Sequence, residues 1–230
     1  MSVAPVNKTV TVHVVSELKL VADTVAAALR ERGRRVLVHS GEAAAVVAPS
    51  GPTEAPEAGL LLSRLGDPFS LAAGLMVVAD PAREWVVVTS GRPGPAWGAL
   101  LEAGAAGVLP ERVTLEQLDE RVRRAALVQE VMAPGPRALS LARWRALPPR
   151  LRADLWAMSA LSPQERQVLR RLYQGHPVAE IAGSSSVAES TVRSQVRAVL
   201  AKLDRHTQLG AVALVERLTQ SELFAPESNG

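Results

Sequence analysis

The sequence contains no cysteine among its 230 residues. This absence excludes disulfide bonds, thiolate metal sites and cysteine nucleophiles. The chain also lacks any run of about eighteen apolar residues, and it does not begin with a basic and then apolar segment. Those two patterns mark membrane spans and export signals. We therefore expect no membrane association and predict a cytoplasmic location.

Catalytic patterns are missing as well. The histidines are scattered along the chain without the helical spacing of a metal site, at His13, His39, His176 and His206. No candidate nucleophile stands in a pattern that would supply its activating base. We therefore predict that the protein is not an enzyme and has no catalytic residues, metal site or cofactor.

The net charge of +3 conceals an asymmetry between the two parts of the chain. Residues 1–132 contain 13 Lys and Arg against 15 Asp and Glu, a net charge of −2. Residues 133–218 contain 13 against 6, a net charge of +7. Such a basic segment attracts nucleic acid electrostatically. Charge alone would equally suit a membrane surface or an acidic protein.

The segment Val187–Leu203 predicts a helix with two different faces. At about 100° per residue, one face is apolar and consists of Val192, Val196, Val199 and Leu203. The opposite face carries small side chains and two arginines one turn apart, namely Ser190, Arg193, Ser194, Arg197 and Ala201. A major groove admits an α-helix, and guanine accepts a bidentate arginine. For this helix alone, a solvated surface with arginines for solubility is an equal alternative.

The residues before this segment predict two further helices. The first begins with an N-cap serine, a proline and a capping-box glutamate, at Ser162, Pro163 and Glu165. Gly175 is placed to end it, and a short helix around Ile181 follows before a turn over residues 183–186. Three helices with a tight turn before the last one indicate a helix-turn-helix.

A resemblance to the LuxR/FixJ-type DNA-binding domain follows from these stretches. It includes LSPQERQVLRRLYQG, then EIA and VAESTVRSQVRAVLAKL, and it extends through TQLGAVAL to about Leu218. The resemblance implies that Arg193, Ser194 and Arg197 face the bases. It also implies that Thr191 and Lys202 approach backbone phosphate.

The sequence departs from that family pattern around the turn. Ala188 stands where a capping serine or threonine is usual, Val178–Ala179 replace polar residues, and Ser185–Ser186 replace apolar ones. A missing N-cap costs about 1 kcal/mol. We therefore expect a loose turn and weak DNA affinity for the isolated domain.

Residues 1–132 alternate between short apolar runs and helical patterns. Strands are predicted at Val10–Val15, Arg35–Val38, Leu60–Leu62, Trp85–Thr89 and Val108–Leu109. Helices are predicted at Leu18–Arg30, Gly41–Val47, Pro68–Val78, Ala96–Ala103 and Leu115–Met132. The apolar runs do not alternate with polar residues, as expected for strands covered on both faces. The pattern predicts an α/β fold, a doubly wound five-stranded parallel sheet in the flavodoxin-like order, followed by the all-α helix-turn-helix domain.

This layout, the strand VVVTS and the stretch ALLEAGAAGVLPE resemble a response-regulator receiver domain. The family's acid pair for Mg²⁺, its phosphoryl-accepting Asp, its hydroxyl and its lysine align with Ser16 and Glu17, Ser63, Thr89 and Glu111. Only the hydroxyl is retained, so the resemblance implies a degenerate phosphorylation pocket. Asp67 is the alternative acceptor if the alignment slips.

Pro134, Gly135 and Pro136 mark a boundary between the two parts. We predict a degenerate receiver-like domain over 1–132, a basic linker over 133–160, the LuxR-type helix-turn-helix domain over 161–218 and a frayed tail over 219–230. The arginines and tryptophans of the linker either contact DNA phosphates or dock one domain on the other. Docking is the favoured hypothesis.

These features predict a sequence-specific DNA-binding transcription regulator, an atypical response regulator of the NarL/FixJ type that acts without Asp phosphorylation. Its predicted partners are double-stranded DNA and a second copy of the chain, with RNA polymerase as a further candidate. The proposed dimer surfaces are two helix faces, one with Leu209, Val212, Ala213 and Leu218 and one with Leu118, Val122, Ala125 and Ala126. In one alternative, the pseudo-receiver binds a small-molecule ligand that controls DNA binding. In another, the protein is an interaction module that titrates a different regulator.

Overall fold

The computed structural model describes residues 9–40 and 55–224, except for the side chain of Ser40. Five parallel strands form one sheet, with the spatial order β2-β1-β3-β4-β5. The strands are β1 (Thr11–Ser16), β2 (Arg35–Ser40), β3 (Glu57–Leu62), β4 (Glu84–Thr89) and β5 (Ala105–Pro110). This confirms the predicted doubly wound sheet and its order. The helix predicted at Gly41–Val47 lies outside the described residues.

Four helices cover the two faces of the sheet. They are α1 (Lys19–Glu31), α2 (Pro68–Val78), α3 (Pro95–Ala103) and α4 (Leu115–Ala126). Successive strand residues point to opposite faces. Accordingly, Val12 and Val14 share a core with α1 and α4, whereas Val15 shares one with α2 and α3. Burial on both faces explains the continuous apolar strand sequences.

One helix is shorter than predicted. The pattern indicated a helix up to Met132, but α4 ends at Ala126. Val128 then adopts a left-handed conformation with φ of 54°, which reverses the chain. The reversal brings Val131 and Met132 back onto the sheet, where both are buried and approach the Cβ position of Gly107. Tertiary burial of these two side chains outweighs continuation of the helix.

The predicted linker folds into two helices, α5 (Pro134–Ala146) and α6 (Pro149–Ser159), and both dock on the receiver-like domain. Trp144 is fully buried, its indole nitrogen donates to Glu102 of α3, and its ring meets that of Trp156 edge-on. Arg137 and Arg143 donate to the backbone oxygens of Ala106 and Pro93, each at 3.0 Å. The docking hypothesis is therefore confirmed.

The last four helices are α7 (Pro163–Tyr173), α8 (Val178–Ser185), α9 (Glu189–Lys202) and α10 (Gln208–Thr219). Residues of α7, α9 and α10 share a core with α2, α3, α5 and α6, whereas α8 packs with α7 and α9 in a separate apolar cluster. The two types of fold are therefore joined by one shared apolar cluster. No described helix has both the length and the apolar character needed to cross a membrane.

Two predictions, one about a dimer surface on α4 and one about the C-terminal tail, were wrong. Leu118, Val122 and Ala125 were predicted to form a dimer surface, but they are buried against the sheet because α4 packs on β3 and β4.

The tail was predicted to fray from residue 219. Instead Thr219 ends α10, Leu223 is buried and Phe224 packs on the shared core.

A pair of histidines, which the sequence separates by 26 positions, meets on neighbouring strands. The rings of His13 and His39 stack with centroids 5.4 Å apart, and the Nε2 of His13 lies 3.2 Å from Glu57. Burial lowers the pKa of both histidines, and the nearby Arg83 lowers it further. Strand pairing creates this contact, and no spacing in the sequence indicates it.

The docking of α5 on α3 depends on a missing side chain at Gly98. A Cβ there would lie 2.1 Å from the backbone oxygen of Ser140 and 2.5 Å from the Cβ of Trp144. Both contacts are far inside van der Waals distance. The two helices can approach this closely only because position 98 is glycine.

We expect Gly98→Ala to lower the free energy of unfolding by about 1 to 3 kcal/mol, because overpacking forces α5 away from α3. The control is Gly135→Ala on α5, where an added Cβ meets nothing within 4 Å. Urea unfolding followed by tryptophan fluorescence measures both. Equal stability of the two variants would contradict the close-packing argument.

Candidate nucleic-acid interface

Helix α9 has the two faces that its sequence predicts. Val192, Val196 and Val199 are buried, and the helix packs mainly against α7 and α8. The opposite side is open to solvent, with exposed side chains at Ser190, Thr191, Arg193, Ser194 and Arg197. These five residues are hereafter called the α9 face. The helix-turn-helix core therefore presents all five to solvent in the free protein.

The two arginines of the α9 face are available for a ligand. Arg193 donates to the carboxylate of Glu189 at 2.8 Å, one turn earlier on the same exposed surface. Exposed pairs of this kind contribute about 0.5 kcal/mol, so DNA can replace Glu189 at little cost. Within the described part of the chain, no hydrogen bond or ion pair engages the guanidinium of Arg197.

Lys202 has a structural partner that the family resemblance does not indicate. Its Nζ donates to Glu165 at 2.7 Å and to the backbone oxygen of Ala160 at 3.3 Å. Burial tends to raise the pKa of Glu165, but the hydrogen bonds from Lys202 and Ser162 outweigh it, and the pKa is lowered. In the free protein, Lys202 therefore joins the end of α9 to the start of α7.

The start of α7 forms as predicted. The hydroxyl of Ser162 accepts from the backbone of Glu165 at 3.2 Å, and the Glu165 carboxylate accepts from the backbone of Ser162 at 2.7 Å. This is a complete capping box preceding Pro163. Glu165 thus serves the helix cap and the contact with Lys202 simultaneously.

The turn before α9 is shorter than predicted. Residues 183–185 belong to α8, and the reversal occurs at Ser186, which adopts a left-handed conformation with φ of 53°. The backbone N–H of Val187 then donates to Ala182 at 3.1 Å. This bond caps the last turn of the helix, which Ser184 and Ser185 continue. Ala188 is the N-cap of α9 and, as its sequence predicts, supplies no side-chain hydrogen bond.

A buried carboxylate, which sequence reasoning did not single out, anchors this domain to α6. Asp154 is 7% exposed at its side chain and accepts from Arg205 at 2.6 Å and from Arg217 at 2.8 Å. These two arginines contribute to the basic charge of the C-terminal half, and both are paired with Asp154 although Arg217 stays 49% exposed at its side chain. The spacing of Asp154, Arg205 and Arg217 in the sequence carries no signal of their contact.

Comparison with known proteins agrees with this architecture. A family model described as bacterial regulatory proteins, luxR family, matches residues 159–215. The probable transcriptional regulatory protein NarL of Mycobacterium tuberculosis is 31% identical over 163 residues, which cover 69% of this chain and 71% of that protein. The chain belongs to the NarL-type family of bacterial transcriptional regulators.

Two further matches are weaker. A nitrate/nitrite response regulator homologue of Haemophilus influenzae is 28% identical, and the match spans 50% of this chain and 51% of that protein. The solved structure of the RcsB response regulator of Salmonella typhimurium is 16% identical, covers 91% of this chain and 98% of its own, and superposes with a TM-score of 0.43.

The residues aligned with the phosphorylation chemistry of a receiver lie together at one edge of the sheet. Ser16, Thr89 and Glu111 stand at or just beyond the carboxyl ends of β1, β4 and β5, and Ser63 directly follows β3. Parallel strands place their carboxyl ends at the same edge. The sheet therefore brings these aligned positions to the same edge, and Glu17 lies exposed beside Ser16.

Several of these side chains already have backbone partners in this NarL-type regulator. The Thr89 hydroxyl donates to the backbone oxygen of Arg64 at 3.0 Å and accepts from Gly91 at 3.2 Å. The Ser16 hydroxyl accepts from Leu18 at 3.1 Å. Asp67, the alternative acceptor, caps α2 by accepting from Phe69 and Ser70. Each contact stabilises a loop at the sheet edge.

The uncapped start of α9 leads to a stability prediction. We expect Ala188→Ser to raise the free energy of unfolding by about 1 kcal/mol, because φ of −68° and ψ of 146° allow a serine there to accept from the first turn. Ala201→Ser, at an exposed position within the same helix, should lower it by up to about 0.5 kcal/mol. Chemical denaturation measures both variants. Destabilisation by Ala188→Ser would show that the cap position is misassigned.

Proposed function

We propose that this protein is a sequence-specific DNA-binding transcription regulator of the NarL/FixJ type that acts in the cytoplasm without Asp phosphorylation. The observation that carries the proposal is the α9 face, where Arg193 and Arg197 lie one turn apart and exposed on a helix supported by a packed core. Arginine in this position can read guanine through two hydrogen bonds in the major groove.

The remaining residues of the α9 face suit a close approach to DNA. Ser190 and Ser194 are small and do not obstruct the arginines. Thr191 is assigned to backbone phosphate, as is Lys202 once it leaves Glu165. The ion pair with Glu165 involves a lysine that is 41% exposed at its side chain, so a phosphate oxygen can compete for it.

The first test is the removal of each reading arginine. We expect Arg193→Ala and Arg197→Ala each to weaken specific binding by about 1 to 3 kcal/mol, because a bidentate arginine on guanine contributes about that. The matched control is Arg112→Ala, which removes an exposed arginine from the receiver-like domain. Mobility shifts on the preferred genomic fragment, at two salt concentrations, measure the affinities. Unchanged operator affinity in both α9 variants would contradict the assignment of the reading face.

The proposed independence from phosphorylation rests on three losses in the receiver-like domain. The acceptor position is Ser63, the lysine position is Glu111, and one carboxylate, Glu17, stands in place of the acid pair. Mg²⁺ binds through carboxylates together with phosphate oxygens, so a single carboxylate is a poor site. Asp67 offers no easy substitute because its carboxylate caps α2.

We therefore expect DNA affinity to be unchanged after incubation with a small phosphodonor and Mg²⁺. Intact mass and operator affinity are measured on the same sample. The control is Asp67→Asn, which keeps an acceptor for the α2 cap and removes the alternative phosphorylation site. A stable gain of one phosphoryl group on Ser63, Asp67 or Glu17 with tighter DNA binding would refute this part of the proposal.

We also propose that the regulator binds DNA as a homodimer, on half-sites about one helical turn apart. Leu209 is 77% exposed at the start of α10, and Ala213 lies exposed one turn later. Leu218 is fully buried within the chain and so cannot contribute. We expect Leu209→Glu to shift sedimentation on DNA toward one copy per site, with Leu139→Glu as an exposed control on α5. Only monomer, both free and on DNA, would contradict the homodimer.

A protein-interaction module that titrates another regulator is the competing function from a different class. Such a module does not discriminate between DNA fragments. The mobility shifts at two salt concentrations separate the two functions, because specific binding retains its preference between fragments as salt rises. RNA polymerase is a proposed downstream partner of the DNA-bound form.

A further inference from the structure

A cleft of about 530 Å³ lies between the receiver-like sheet and the DNA-binding domain. One wall is the carboxyl edge of the sheet, with Ser16, Glu17 and Ser63. The opposite wall is α7, with Arg166, Arg170 and Arg171. The volume falls within the range of small-molecule sites, and crevices at the carboxyl ends of parallel strands are their usual place.

The charged groups of the cleft favour an anion. Three arginines of α7 face a single lining carboxylate, Glu17. Arg166 is buried and donates to the backbone oxygen of Leu161 at 2.9 Å, which holds its guanidinium in place. Arg170 lies 4.8 Å above the ring of Phe69 and 3.9 Å from Asp67. Within the described residues, no hydrogen bond or ion pair engages the side chain of Arg171.

A buried hydroxyl in the same cleft is unsatisfied. The Oγ of Ser63 has almost no accessible surface and no hydrogen-bond partner among the described residues. Leaving such a group unpaired is energetically unfavourable. Because this oxygen is not accessible, a ligand in the cleft meets other atoms of Ser63 and not its hydroxyl.

The remaining lining is mixed. It includes the apolar side chains of Leu61, Phe69, Ala73 and Val77 together with the polar residues Ser70, Gln167 and Gln174. Apolar walls with a few placed polar groups are typical of sites for small organic molecules. Inorganic phosphate alone would leave this surface uncovered.

We propose that the cleft binds a small organic anion, with its phosphate or carboxylate on Arg170 and Arg171 and its apolar body on α2. The ligand contacts both the receiver-like domain and α7, so it stabilises the docked arrangement of the two. Its effect on DNA binding rests on the proposed function, whereas its binding does not.

The test uses three probes with one ring system: 1-naphthyl phosphate, 1-naphthoate and neutral 1-naphthol. Isothermal titration of the full chain should show saturable binding of both anions, with naphthol about tenfold weaker or more, because it cannot form the charged hydrogen bonds. Arg171→Gln should weaken the anions about tenfold for the same reason. Arg150→Gln, an exposed arginine of α6, is the matched control and should bind like the wild type.

Ala73→Phe, which fills the cleft, should abolish binding, and circular dichroism checks that this variant folds. The proposal is overturned if neither anion binds saturably, if naphthol binds as tightly, or if Arg171→Gln binds like the wild type. Operator affinity of the unliganded protein is measured separately. If the protein binds DNA specifically but binds neither anion, the ligand proposal fails and the proposed function stands. If it binds the anions but does not bind DNA specifically, the proposed function fails and the ligand proposal stands.

Discussion

The packing of Trp144 between α5 and α3 is the contact that fixes the linker helices on the receiver-like domain, and the placement of the helices after them depends on it. Trp144 has no exposed surface, and it lies where α5 meets α3 above the sheet. The same apolar interior continues through Leu155 and Met158 of α6 into Leu169 of α7. Because protein interiors are closely packed, a shift at this contact is transmitted to its neighbours. The orientation of α7 relative to the sheet therefore follows from how the linker packs.

Several arginines of the basic C-terminal half bind groups of the protein itself. Arg137 and Arg143 satisfy backbone oxygens of the receiver-like domain, and Arg205 and Arg217 surround Asp154. Guanidinium groups suit such contacts because they keep their charge and present several donors in a fixed plane. By contrast, the partner of Arg193 on α9 is the exposed Glu189, which DNA can replace without the loss of a buried contact.

At the carboxyl edge of the sheet, the positions of the residues do not depend on the chemistry of their side chains. Parallel strands bring Ser16, Ser63, Thr89 and Glu111 to one edge whatever the side chains are, because the backbone ladders determine where strands end. Apolar burial on both faces supplies the stability of the sheet, so the fold does not depend on the charge of the side chains at this edge. The edge forms one wall of a cleft whose second wall is α7 of the DNA-binding domain.

Elements that depend on local signals can be predicted from the sequence. The capping box at Ser162, the two faces of α9 and the apolar strands all follow from neighbouring residues, because caps and periodicity act within one or two turns. Tertiary contacts set the end of α4, the Asp154 and His13 contacts, the burial of Leu223 and the position of α7 over Ser63. These contacts join residues far apart in the chain, and their free energy depends on which surfaces meet after folding. No local pattern can encode that choice.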